Sequence, residues 1–82
     1  MSEFRIVEVY GIKIDARCAA LLKIVIDFGG SGSSHQRDQA DRALEKLGES
    51  GCTRALQYVV EEFSGSGGSH QRGLASRALE IL

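Results

Sequence analysis

The chain has 82 residues, a net charge of −1, ten glycines, no proline and two cysteines. A chain this short makes one domain that buries only about 60–65% of the surface it exposes unfolded, so its stability depends on what ties its elements together. Interspersed acids and bases set aside a strong field for nucleic acid or anionic membrane. No apolar run approaches the ~18 residues of a membrane span, and a cytoplasmic protein without leader or lipid anchor is the expectation.

Residues 1–14 align with nothing later in the chain. Phe4 to Ile14 is rich in β-branched and aromatic side chains, which favours an extended strand or a strand pair bent at Tyr10-Gly11; a short helix from Glu3 to Tyr10 is the alternative. From Ala20 the chain is written twice. Residues 20–47 match residues 55–82 at a constant offset of 35, with 17 of 28 positions identical. A period of this size is that of a helical hairpin, a unit that cannot bury its apolar face alone and stacks on a neighbour. The expected organisation is one domain with a cap over residues 1–14, repeat 1 over 15–47 and repeat 2 over 48–82.

Each repeat reads as helix, Gly/Ser turn, helix. Ala20, Leu21, Ile24, Val25 and Phe28 form an apolar helical face, which Ala55, Leu56, Val59, Val60 and Phe63 reproduce. Asp15 is the expected N-cap of the first helix, and Ser50 or the Gly51 region that of its counterpart. The turns Gly29 to Ser34 and Ser64 to Ser69 read as flexible chain tolerant of insertion, with Ser34 and Ser69 capping the next helices. Those second helices share the stripe Ala40, Ala43, Leu44, Leu47 and its copy Ala75, Ala78, Leu79, Leu82. Cys18, Leu22 and Ile26 add a second apolar stripe in repeat 1, where repeat 2 has Thr53, Gln57 and Glu61; the N-terminal segment is expected to cover it.

Cys18 and Cys52 fall near the starts of the two first helices. Adjacent helices lie roughly 8–10 Å apart, whereas a disulfide wants Cα atoms within about 7 Å, and two reduced, half-buried thiols are expected. No CxxC spacing points to a metal or redox pair.

Leu47-Gly48-Glu49-Ser50-Gly51 followed by Ala55-Leu56 resembles the Leu-Gly-x-x-Gly junction of HEAT repeats, most closely those of the phycobilisome-lyase type. The resemblance covers residues 15–82 and implies a mainly α fold: two stacked helical hairpins of an α-solenoid fragment, preceded by the short N-terminal cap. Cys52 stands where family repeats usually carry Asp, and Gln39-Ala40 and Leu74-Ala75 where they carry Val-Arg, so the family's Asp–Arg ladder is not expected from those positions. The aromatic and proline signposts of tetratricopeptide repeats, the rival at this period, are missing.

The duplicated Ser-His-Gln-Arg is the most suggestive polar feature. A Gly/Ser turn opening a helix presents free N–H groups beside a basic side chain, which suits a phosphate or carboxylate; the candidate anion-binding residues are Ser34, His35, Arg37, Ser69, His70 and Arg72. The plainer reading is a cap and a solvated first turn copied by duplication. His35 and His70 lie too far apart within one chain to share a zinc, and neither a metal, another cofactor nor a catalytic set is expected. The arginines lack interleaved aromatics, which makes nucleic acid an unlikely partner. Gln39 and Lys46 of repeat 1 become Leu74 and Ile81 in repeat 2, with Ala78 between them. That apolar strip suggests a homodimer through Leu74, Ala78 and Ile81; the plainer alternative is a stacking face of a longer repeat array. The function that the HEAT resemblance implies is a non-enzymatic protein-interaction or adaptor module with an unidentified protein partner; the alternative is a small-anion or nucleotide-binding protein using the two turns.

Overall fold

A computed structural model describes residues 5–82. Two antiparallel strands, β1 (Ile6–Val9) and β2 (Ile12–Asp15), precede four helices: α1 (Ala16–Phe28), α2 (Ser34–Glu49), α3 (Thr53–Phe63) and α4 (Ser69–Ile81). The fold is mainly helical. The hairpin is the bent strand pair read from the sequence, not a helix; Glu3 and Phe4, which that alternative included, lie outside the described residues.

Tyr10 and Gly11 both have positive φ, 52° and 79°, the backbone of a two-residue turn whose twist suits the flanking strands. The register pairs Val9 with Ile12, Glu8 with Lys13 and Val7 with Ile14. Strand alternation then puts Val7, Val9, Ile12 and Ile14 on the core side, leaving Glu8 opposite Lys13 on the wet side. Chain continuity at the join is direct: Asp15 caps α1 by accepting from the Arg17 N–H at 2.7 Å, as its position suggested, and the Ala16 N–H donates to the Arg5 carbonyl.

α1 packs on α2 and α3 on α4, while α1 also touches α3 and α2 touches α4. The shared alanines permit this: Ala40, Ala43, Ala75 and Ala78 are all buried between helices. α2 runs two residues past its expected end and stops in a Schellman motif. The Cys52 N–H donates to the Leu47 carbonyl and the Gly51 N–H to that of Gly48, with Gly51 at φ +72°, a left-handed position that glycine fills at little cost. Cys52, rather than Ser50 or Gly51, is therefore the N-cap residue of α3.

The cysteines are joined. Cys18 and Cys52 form a disulfide with their Cα atoms 5.9 Å apart, against the expectation of free thiols. That expectation used the spacing of helix axes, but Cα atoms lie on a cylinder of radius about 2.3 Å, so facing residues approach well inside the axial distance. The stripe assigned to the cap is thereby shared: α1 packs against the hairpin on one side and α3 on another, and Leu22 is fully buried.

Candidate functional site

Both Gly/Ser turns are built structures held by the same bonds. In the first, Ser31 Oγ donates to Gln36 Oε1, the Ser33 N–H donates to Ser31 Oγ at 3.0 Å, and Arg37 Nη1 donates to the Ser31 carbonyl at 2.7 Å. In the second, Ser66 Oγ donates to Gln71 Oε1, the Gly68 N–H to Ser66 Oγ at 3.0 Å and Arg72 Nη1 to the Ser66 carbonyl at 2.9 Å. Gln and Arg of the duplicated tetrapeptide thus staple the turn that precedes them. Ser34 and Ser69 do not cap. They are the first helical residues, after Ser33, which accepts from the Gln36 N–H, and Gly68, which has no side chain to do so.

Of the six residues suggested for an anion, Arg37 and Arg72 donate into their own turns, and His35 is exposed. His70 belongs to a different cluster. Its Nε2 lies 3.2 Å from Asp41 Oδ1, and Arg77 reaches Asp41 at 3.5 Å and Glu45 at 3.2 Å. This cluster of acidic and basic side chains joins α2 of repeat 1 to α4 of repeat 2. No group of three or more His, Cys, Asp or Glu that could hold a metal occurs among the described residues.

The proposed dimer strip is turned inward. Leu74 is 1% exposed and Ala78 0%, so only Ile81, at 44%, reaches the surface. Gln39 sits at the position equivalent to Leu74 and is exposed. The replacement therefore marks where repeat 2 leans on repeat 1: Leu74 Cδ1 and the Phe63 ring sit so close to Gly29 that a Cβ there would meet them at 2.9 and 3.0 Å. Ile81 lies in the same way over Gly48. Comparing copies revealed that this flank had changed, but the change answered to an internal neighbour.

What sequence reasoning missed is the outer face of repeat 2. Val60, Ser64, Arg72, Ala75, Ser76 and Leu79 line a shallow depression of about 300 Å³. The equivalent residues of repeat 1 include Val25, Ala40 and Leu44, all fully buried, and α3 and α4 are what lie against that side of α1 and α2. Leu44 is 0% exposed and Leu79 62%; Leu47 is 0% and Leu82 49%. The signal was present in the duplication: applying the offset of 35 to a buried interface points to the surface that lacks its neighbour.

A second depression, of about 810 Å³, lies beside the disulfide and is lined by Asp15, Arg17, Leu21, Lys46 and Glu49 with both cysteines. At the far end of the hairpin, Tyr10 stacks on Tyr58 of α3, ring centroids 5.2 Å apart and planes within 9°. Burial, then Asp27, then Tyr58 push the Tyr10 hydroxyl above its ordinary pKa. Tyr58 is pushed the same way by burial and Glu62, with Glu61 adding to it.

No family model, curated protein or solved structure matches the chain. No helix among the described residues is long and apolar enough to cross a membrane.

Proposed function

We infer that the protein is a helical-repeat interaction module of HEAT-like kind, acting by presenting a stacking face rather than by chemistry. The observation that carries this reading is the contrast at one repeated position, where Leu44 is sealed and Leu79 stands 62% exposed. An apolar face that one repeat buries and the next leaves open is a surface shaped for a protein partner. The Gly/Ser turns serve that role as rigid corners, since their glutamines and arginines are engaged internally, and this weighs against the anion-binding alternative. The disulfide favours an oxidising compartment over the cytoplasm.

Selection of helical peptides from a displayed library against the intact 82-residue chain tests the reading. Peptides should be enriched whose amide NMR footprint covers Val60, Ser76 and Leu79, and enrichment should be lost on Leu79→Glu. Enrichment indifferent to Leu79→Glu would overturn it.

A further inference from the structure

We propose that the partner of this face is a second copy of the chain, docked through α4 antiparallel to α4 about a two-fold axis at Ser76. The proposal rests on the interaction-module reading and names its occupant. The exposed side of α4 includes Arg72, Gly73, Ser76, Leu79 and Glu80, which lie with the first-turn Ser69 within about 60° of Ser76 around the helix at 3.6 residues per turn. Reversed upon itself about Ser76, this pattern is self-complementary. Arg72, whose Nη1 stays on the Ser66 carbonyl, falls with its remaining N–H groups opposite the partner's Glu80, and Leu79 falls opposite the partner's Gly73, each twice, while Ser76 meets its own copy. Gly73 offers the space, since nothing lies within 4 Å of where its Cβ would be.

Repeat 1 shows that the same stripe works as an interface and how it has been altered. Its counterparts Asp38, Asp41, Leu44 and Glu45 lie on α2, which α4 packs against, and Asp41 and Glu45 there hold His70 and Arg77. In repeat 2 the two aspartates have become Gly73 and Ser76, while Leu79 and Glu80 keep their leucine and glutamate. The change removes the carboxylate that drew in a basic neighbour and leaves small residues where two identical helices would meet.

The alternative occupant, another hairpin stacked by the same 35-residue step, is disfavoured by the other half of the face. Such a hairpin would meet Ser64 where repeat 1 has Gly29, the residue that gives Leu74 and Phe63 their room. A two-fold contact needs only α4. One helix pair is at the small end of specific interfaces, so a weak, concentration-dependent association is expected.

Sedimentation equilibrium of the oxidised chain between about 10 and 500 μM decides the matter, in the concentration range such a small contact demands. The wild type should pass from monomer to dimer. Leu79→Glu should remain monomeric with an unchanged circular dichroism spectrum, Glu80→Arg should weaken association about tenfold by facing Arg72, and Ser76→Cys should cross-link to itself in a glutathione buffer while Glu61→Cys does not. A monomeric wild type, a Leu79→Glu variant that still dimerises, or a Ser76→Cys variant that fails to cross-link overturns the two-fold. Peptide selection that still depends on Leu79 would then leave the interaction module standing; loss of both would remove the two readings together.

Discussion

Leu44 and Leu79 stand at one place in a duplicated sequence, yet one is fully buried and the other mostly exposed. The same contrast runs through the repeats: Gly29 against Ser64, Asp41 against Ser76, Leu22 against Gln57. Repeat 1 is the receiving unit, its glycine, acid and leucines matched to the helices that lean on it. Repeat 2 keeps the leucines on α4 and turns polar on α3. The substitutions between copies therefore record neighbours, and each can be read by asking what touches the residue in one copy and not in the other.

The widest gap between the repeats should come from truncating those leucines. Leu44→Ala empties a fully buried site and should cost about 2–5 kcal/mol, whereas Leu79→Ala should change stability by less than about 0.5 kcal/mol. Urea midpoints measured well below the association range give both numbers. Equal losses would abolish the distinction between a sealed and an open face.

Much of the fold was legible because it rests on local pattern. The helical hairpins, the Asp15 cap and the bend at Tyr10-Gly11 follow from periodicity, capping chemistry and turn chemistry that act within a few residues, although Ala20, Leu79 and Leu82, read as members of the apolar faces, are exposed. The failures were tertiary. Leu74 and Ala78 looked like a surface strip because the pattern of α4 alone cannot say which apolar side meets α2. The Gly/Ser turns looked loose because composition is silent on Gln36 and Arg37 reaching back to Ser31. The cysteines looked too distant because helix spacing was taken for Cα spacing. Of the candidate anion site, only Arg72 lines the depression on the open face, and it was chosen for a different chemistry.

The disulfide is the one covalent cross-link between the repeats beyond the backbone itself, joining the first turn of α1 to the N-cap of α3 across 34 residues. In the chain-entropy treatment a loop of that size contributes about 3–4 kcal/mol by restricting the unfolded chain. Thermal or urea unfolding with and without a dithiol reductant measures it, and the Cys18→Ser, Cys52→Ser pair should behave like the reduced protein. An unchanged midpoint would mean that packing alone seats repeat 2 on repeat 1.

Exchanging residues between the copies probes the seat more finely. Gly29→Ser installs repeat 2's residue where a Cβ would press on Leu74 and Phe63, and a loss of about 1–3 kcal/mol is expected from overpacking. Ser64→Gly, the reverse exchange on the open side, should cost only the few tenths of a kcal/mol expected away from such contacts. Asp41→Ser goes further down the scale. The side chains of His70, Arg77 and Asp41 are partly solvated, but the facing Asp41 Oδ1 and His70 Nε2 atoms are buried, so releasing them should cost about 1 kcal/mol. A Gly29→Ser protein as stable as the wild type would show that the close approach is not what positions α4.

The smallest effect at neutral pH belongs to the contact that spans both repeats from the hairpin, and it emerges only in alkali. Tyr10 sits near Asp27 of α1 and stacks on Tyr58 of α3, while repeat 1 has Lys23 at the position of Tyr58. Both phenols have folded pKa values raised above the ordinary 10.0. A raised value means that the folded protein holds these protons more tightly than the unfolded chain. The associated stability is therefore complete below about pH 10 and is lost as pH rises through the folded values. Phenolate absorbance should show both half-points above 10, with folding stability falling over the same window. Because burial and Asp27 outrank Tyr58 among the causes at Tyr10, Tyr58→Phe should lower the Tyr10 half-point only slightly, while Asp27→Asn should lower it more. The opposite order would mean that the Tyr58 phenolate, and not Asp27, is the main charge acting on the Tyr10 hydroxyl.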